Sequence, residues 1–163
     1  MKTQGVNLYI VDDNKLVVAD LKHYLQDKFG VSIKITTFND GESCIEKINQ
    51  DTDIVILDYF LNGQNGLEVL KLIKEKNSKT EVIMLSSNED ISVAIQTFKN
   101  GATDYVVKGH GALKKLSKVI YQIITEPIRL IVKEFRISKF IAVFSLTFVT
   151  IGVVVYFVLR TIK

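Results

Sequence analysis

Residues 53–58 read Asp-Ile-Val-Ile-Leu-Asp. An apolar run rich in β-branched residues, closed by aspartates at both ends and without polar alternation, predicts a strand over 53–57 whose two faces are both covered. Such strands belong to parallel sheets with helices on both sides. Working outward, 6–11 is a second apolar run, ending at Asp12-Asp13, and 14–29 carries apolar residues at helical spacing before Gly30. A strand is expected over 31–38 and a helix over 40–49, capped by Asn39 or Asp40. Beyond Asp58 come a loop over 58–65 and a helix over 66–76, then a strand over 82–85 and a helix over 89–99 stopped at Asn100-Gly101. A last strand over 103–107 is followed by a helix over 113–125 with Leu113, Leu116, Ile120 and Ile123 along one side. Alternation of strand and helix predicts an α/β fold with a doubly wound, five-stranded parallel sheet.

Composition divides the chain in two. Residues 1–126 hold 15 Lys/Arg against 17 Asp/Glu, a balance of −2, whereas 127–163 hold 6 against 1, a balance of +5. The sequence pI near 8.9 therefore comes from the tail, and the body has no basic stripe of the kind nucleic-acid binding needs. Cys44 is the single cysteine, so no intramolecular disulfide forms, in keeping with a reducing compartment. The N-terminal residues lack the apolar run of a secretory signal.

In an open parallel sheet the loops after the strands' carboxyl ends converge on one site. The predicted strand ends bring Asp12 and Asp13, Asp58, Ser86 and Lys108 to a common edge. Three carboxylates repel one another, which favours a raised pKa or a bound hard cation; oxygen-only donors suit Mg²⁺. A neighbouring ammonium and hydroxyl complete the parts needed for phosphoryl transfer to a carboxylate. Each residue also has a plainer reading: Asp12 or Asp13 as a helix cap, Tyr105 as a strand aromatic. His23 and His110 read as surface residues, and Cys44 as a small core side chain.

The spacing Asp12-Asp13 … Asp58 … Ser86 … Tyr105-Val-Val-Lys108, with Gly66-Leu67-Glu68 and Gly101-Ala102, resembles the receiver domain of bacterial two-component response regulators over about residues 5–125. That resemblance implies a flavodoxin-like fold with strand order 2-1-3-4-5. It implies that Asp58 is the phosphoacceptor, taking its phosphoryl group from a sensor histidine kinase or a histidine phosphotransfer protein. Asp12, Asp13, Asp58 and the backbone carbonyl of Phe60 would hold Mg²⁺, and Lys108 would contact the phosphoryl group. Ser86 and Tyr105 would be the switch pair, the hydroxyl moving inward and the ring following. Phe60 and Asn88 occupy positions that tune phosphoryl lifetime, with slow self-dephosphorylation expected from the bulk of Phe60. Two positions depart from the family pattern: Asn62 stands where a proline is usual, and Gly109 follows Lys108 where a proline, often with a cis peptide, is usual. A non-proline cis bond costs roughly 3 kcal/mol, so a different loop shape is expected there.

Residues 140–159 form an uncharged, mostly apolar stretch, long enough at 1.5 Å per residue to cross one hydrocarbon core. Arg129, Lys133, Arg136 and Lys139 precede it, placing the body on the cytoplasmic side by the positive-inside rule. The expected organisation is a receiver over 1–126, a basic juxtamembrane helix over 127–139 opening near Pro127, a transmembrane helix over 140–159 and a short tail over 160–163. The whole reads as a single-pass protein of the cytoplasmic membrane that signals to an unidentified downstream protein, with homodimerisation possible and no DNA-binding module. It is not a turnover enzyme in this reading. The rivals are a phosphorylation-independent membrane adaptor and a phosphate sink that drains a kinase.

Overall fold

The computed structural model describes residues 5–161; within the last helix, side chains are described for 112–125, 143–153, 156 and 160. Five strands form one parallel sheet: β1 (Val6–Val11), β2 (Ile33–Phe38), β3 (Ile54–Asp58), β4 (Glu81–Ser86) and β5 (Asp104–Val107). Their spatial order is β2-β1-β3-β4-β5, as expected. The connecting helices are α1 (Lys15–Phe29), α2 (Gly41–Lys47), α3 (Gly66–Lys76), α4 (Ile91–Lys99) and α5 (Ala112–Thr161).

β3 sits at the centre, and all five of its residues are buried. Its side chains alternate between two cores. Val55 and Leu57 join Cys44, Val69, Leu70, Ile73 and Met84 under α2 and α3. Ile54 and Ile56 point the other way, the side supplied by buried Val18, Leu21 and Leu25 of α1 and Leu116, Val119 and Ile120 of α5. Full burial of each such side chain contributes about 2 kcal/mol, so a continuous apolar run is favoured only where helices cover both faces.

Several boundaries move, for identifiable reasons. β2 begins at Ile33 because Gly30–Ser32 forms a 3-10 turn that leaves Val31 almost wholly exposed. α2 ends at Lys47, short of the expected 49, and Asp40 caps it by accepting from the Ser43 N–H. α4 starts at Ile91, with Asp90 as its cap. The expected loop after Asp58 contains a small antiparallel hairpin, Phe60–Leu61 with Gln64–Asn65, whose turn passes through Asn62 and Gly63 at φ 78°. A glycine with φ near +80° is what the third residue of a type II turn requires.

Contacts divide the chain into two compact units, Met1–Ile123 and Ile124–Lys163. The second is helical, and Pro127 lies inside the assigned helix instead of opening a new one. Among the described residues no helix is long and apolar enough to cross a membrane. The span expected at 140–159 falls partly outside the described side chains. Those that are described, among them Phe144, Leu146, Phe148 and Val149, are exposed.

Candidate functional site

The carboxyl edge of the sheet gathers the residues that the strand ends predicted. β1 delivers Asp12 and Asp13, β3 delivers Asp58, and carboxylate oxygens of the three lie within 4.8 Å of one another. Asp12 and Asp58 are buried, and Asp13 is half-buried. Lys108, just after β5, reaches back so that its Nζ lies 2.8 Å from Asp12 Oδ2 and 2.8 Å from Asp58 Oδ2. One ammonium thus bridges two carboxylates.

Burial pushes the Asp58 carboxyl above the usual carboxylate range. Against burial act the hydrogen bond and charge of Lys108 and the backbone N–H of Phe60, while the Asp12 carboxylate adds a further upward push. Burial pulls the Lys108 ammonium down, but its hydrogen bonds to Asp12 and Asp58 and their charges outweigh it, and the group is held above the usual lysine value. Three carboxylates and one ammonium leave the cluster at −2. Hard oxygen donors carrying that charge match a divalent cation such as Mg²⁺, so the residues present fit the expected metal.

Local structure holds these groups in place. The plainer role suggested for Asp12 or Asp13, capping α1, belongs to Asn14, whose Oδ1 accepts from Leu16 N (3.0 Å) and Val17 N (3.4 Å). The Asn14 N–H in turn donates to Asp12 Oδ1 at 2.9 Å, leaving Oδ2 for Lys108. Asn14 went unnoticed as a positioning group, although an asparagine directly before an apolar periodic run is a recognisable cap signal.

Ser86 is fully buried at the end of β4, and its Oγ accepts from the Asn88 N–H at 3.0 Å. Tyr105 is buried, and its hydroxyl donates to the Asn88 carbonyl at 2.8 Å. The two expected switch residues are therefore joined through the backbone of Asn88. Its side chain is used elsewhere, accepting from the Asp90 N–H at 2.8 Å. Phe60 is exposed beside the site, with its ring edge-on to Tyr59 at 4.9 Å. His23 and His110 are exposed, and Cys44 is buried with its thiol pushed up to about 12 by burial.

The loop after Lys108 has its own form. No cis peptide occurs among the described residues; Gly109 adopts φ 140° and Gly111 φ 88°. A proline, locked near −65°, does not fit the first of these.

A five-stranded doubly wound sheet carrying an acidic cluster and a bridging lysine at its carboxyl edge is the arrangement that the resemblance to receiver domains implied. Residues 8–121 match the response regulator receiver domain family, and the chain belongs to that family. Among curated proteins it is 31% identical over 133 residues to the protein-glutamate methylesterase/protein-glutamine glutaminase of Thermotoga maritima, covering 79% of this chain and 38% of that protein. It is 29% identical over 102 residues to the DNA-binding transcriptional regulator NtrC of Escherichia coli K12, covering 62% of this chain and 21% of that one. The chain thus spans less than half the length of either relative. Among solved structures it resembles the response regulator domain of Thermotoga maritima CheB (30% identity, TM-score 0.62, 73% of this chain and 96% of that one). It also resembles the BeF3-activated DrrB receiver domain (27% identity, TM-score 0.62, 72% and 98%). Receiver domains of two-component response regulators are signalling modules that interact with histidine kinases or phosphotransfer proteins.

Proposed function

We propose that the chain is a membrane-tethered response regulator whose Asp58 accepts a phosphoryl group from a phosphohistidine on a partner kinase or phosphotransfer protein. The observation that carries this reading is the meeting of Asp12, Asp13, Asp58 and Lys108 at one sheet edge, with Lys108 2.8 Å from both buried carboxylates. An Asp58 oxygen forms the new bond to phosphorus as the bond to the imidazole nitrogen breaks, and the leaving imidazole takes up a proton. Asp12, Asp13, Asp58 and the Phe60 carbonyl would hold Mg²⁺, which would supply charge neutralisation at the site. Lys108 pairs with a phosphoryl oxygen, and the Ser86 hydroxyl takes another. The protein promotes its own phosphorylation and slow dephosphorylation without turning over a separate substrate.

Treatment with acetyl phosphate and Mg²⁺ tests the reading. Wild type gains one phosphoryl group by intact mass and Asp58→Ala gains none; equal incorporation in both would exclude Asp58 as the acceptor. Phe60 stands exposed beside the site, so Phe60→Asn is expected to shorten the phosphoryl lifetime by admitting water. An unchanged half-life would remove Phe60 from that role.

Anchoring at the cytoplasmic membrane, with the receiver on the cytoplasmic side, rests on the uncharged length of 140–159 and the basic residues before it. The Thr147 and Thr150 hydroxyls donate to carbonyls of their own helix, so neither needs an outside partner. Output would run through protein contacts on the face formed by α4, β5 and α5. A second reading, the phosphorylation-independent adaptor, is favoured by one observation: Tyr105 is already buried with its hydroxyl engaged, the inward position expected of a triggered switch. Partner binding that is identical for wild type and Asp58→Ala would select the adaptor.

A further inference from the structure

Gly66 opens α3, eight residues beyond Asp58, and its backbone N–H donates to the Tyr59 carbonyl at 2.9 Å. A methyl group added at this position would overlap the carbonyl oxygen of Asp58 itself, and would stand 2.8 Å from Tyr59 Cα and 3.0 Å from the Tyr59 carbonyl oxygen. All three are backbone atoms, which cannot swing aside as a side-chain end can. The start of the helix is therefore seated directly on the back of the acceptor strand. Asn65 secures that seat from the helix side, its Oδ1 accepting from the Leu67 N–H at 2.9 Å. The Tyr59 carbonyl that Gly66 holds belongs to the same planar peptide as the Phe60 N–H, the donor that acts to lower the Asp58 pKa.

We propose that Gly66 is a positioning residue for the acceptor site. By letting α3 press against the Asp58–Tyr59 backbone, it sets where the Phe60 peptide stands, and so aims the Phe60 N–H at the Asp58 carboxylate and the Phe60 carbonyl at the cation. The part concerning the cation rests on the Mg²⁺ reading above; the part concerning the N–H does not. Sequence reasoning treated Gly66 only as a family marker, because its contact is with a residue eight positions away and appears only in the folded chain.

The test uses the full chain in detergent micelles, with Gly66→Ala and Gly5→Ala compared. Gly5 is the control because an added methyl there also meets backbone, 2.9 Å from the Val31 carbonyl oxygen and 3.0 Å from that of Ser32, at the opposite end of the sheet. Two readouts are taken: Mg²⁺ affinity by titration calorimetry, and hydrogen exchange of the Phe60 amide by NMR without metal. Gly66→Ala is expected to weaken Mg²⁺ binding roughly tenfold or more, the range typical of groups that orient metal ligands, and to speed Phe60 amide exchange. Gly5→Ala should leave both unchanged even if its melting temperature falls. Unaltered Mg²⁺ affinity and Phe60 protection in folded Gly66→Ala overturn the proposal. If wild type binds no Mg²⁺, the metal reading fails, and the amide result alone decides the positioning role. Should Gly66→Ala not fold, Asn65→Ala loosens the same seat without steric overlap. It is expected to lower both Phe60 protection and Mg²⁺ affinity, and a variant less stable yet unchanged in both also overturns the proposal.

Discussion

At the scale of single residues, the proposed acceptor is held in tension with its surroundings. Asp58 is buried beside two other carboxylates, and Lys108 and the Phe60 backbone N–H oppose that environment. Its folded-state pKa lies above the ordinary value of 3.8, so between those two values the folded protein binds more protons than the unfolded one. Stability from this group is then present at low pH and is lost as pH rises through the raised pKa. Asp58→Asn carries no such charge. In metal-free solution its stability gain over wild type should be largest near neutral pH and should shrink as pH falls toward 3.8. Urea unfolding at several pH values reads this directly, and a variant less stable than wild type at neutral pH would show that Lys108 outweighs burial. Asp58, Asp13, Asp12 and Lys108 were legible as a group because each follows an apolar strand, and strand ends in a parallel sheet share an edge. Asn88 was legible only as a position. Its backbone, not its side chain, joins Ser86 to Tyr105, and no residue pattern reports a backbone contact of that kind.

At the scale of elements, the Lys108–Gly111 loop departs from the pattern that the family resemblance implied. Gly109 at φ 140° adopts a conformation closed to proline and rare for any L-residue. Restoring the usual proline, Gly109→Pro, is expected to destabilise the protein by more than about 1 kcal/mol. It should also displace Lys108 and slow phosphorylation from acetyl phosphate. A Gly109→Pro protein with wild-type stability and rate would mean that the loop readily takes the other form. Element positions were largely readable: β1 and α3 have the boundaries their residues predicted, because apolar runs, caps and glycine stops coincide there. The hairpin after Asp58 was missed although Asn62-Gly63 is a strong turn signal, since its strands are only two residues long and carry no period.

At the scale of the whole molecule, the proposed anchoring gives the second unit the role of deciding where the first one works. Two lysines in the middle of the uncharged stretch, Val149→Lys with Ile151→Lys, would each cost roughly 2.5–3.5 kcal/mol at the centre of a bilayer. The wild-type chain is expected to remain with membranes through alkaline carbonate extraction, and the double variant to be released. Equal retention of both would argue that association comes from protein contacts and not from a span. Phosphorylation of the released variant by acetyl phosphate should match wild type, because the acceptor site lies wholly within the first unit.

The sequence by itself determined the order of strands and helices, the division into an acidic body and a basic, apolar tail, and the set of groups at the sheet edge. All of these follow from periodicity and from the handedness of strand–helix–strand connections, which are local or nearly local properties. Only the tertiary structure decided which oxygens Lys108 bridges and that Gly66 rests against the backbone of the proposed acceptor. Those depend on groups that meet at close range in the folded chain, from eight residues apart for Gly66 and Asp58 to 96 for Lys108 and Asp12. Hydrogen bonding and steric exclusion change steeply over a few tenths of an ångström there, and residue spacing along the chain carries no information at that resolution.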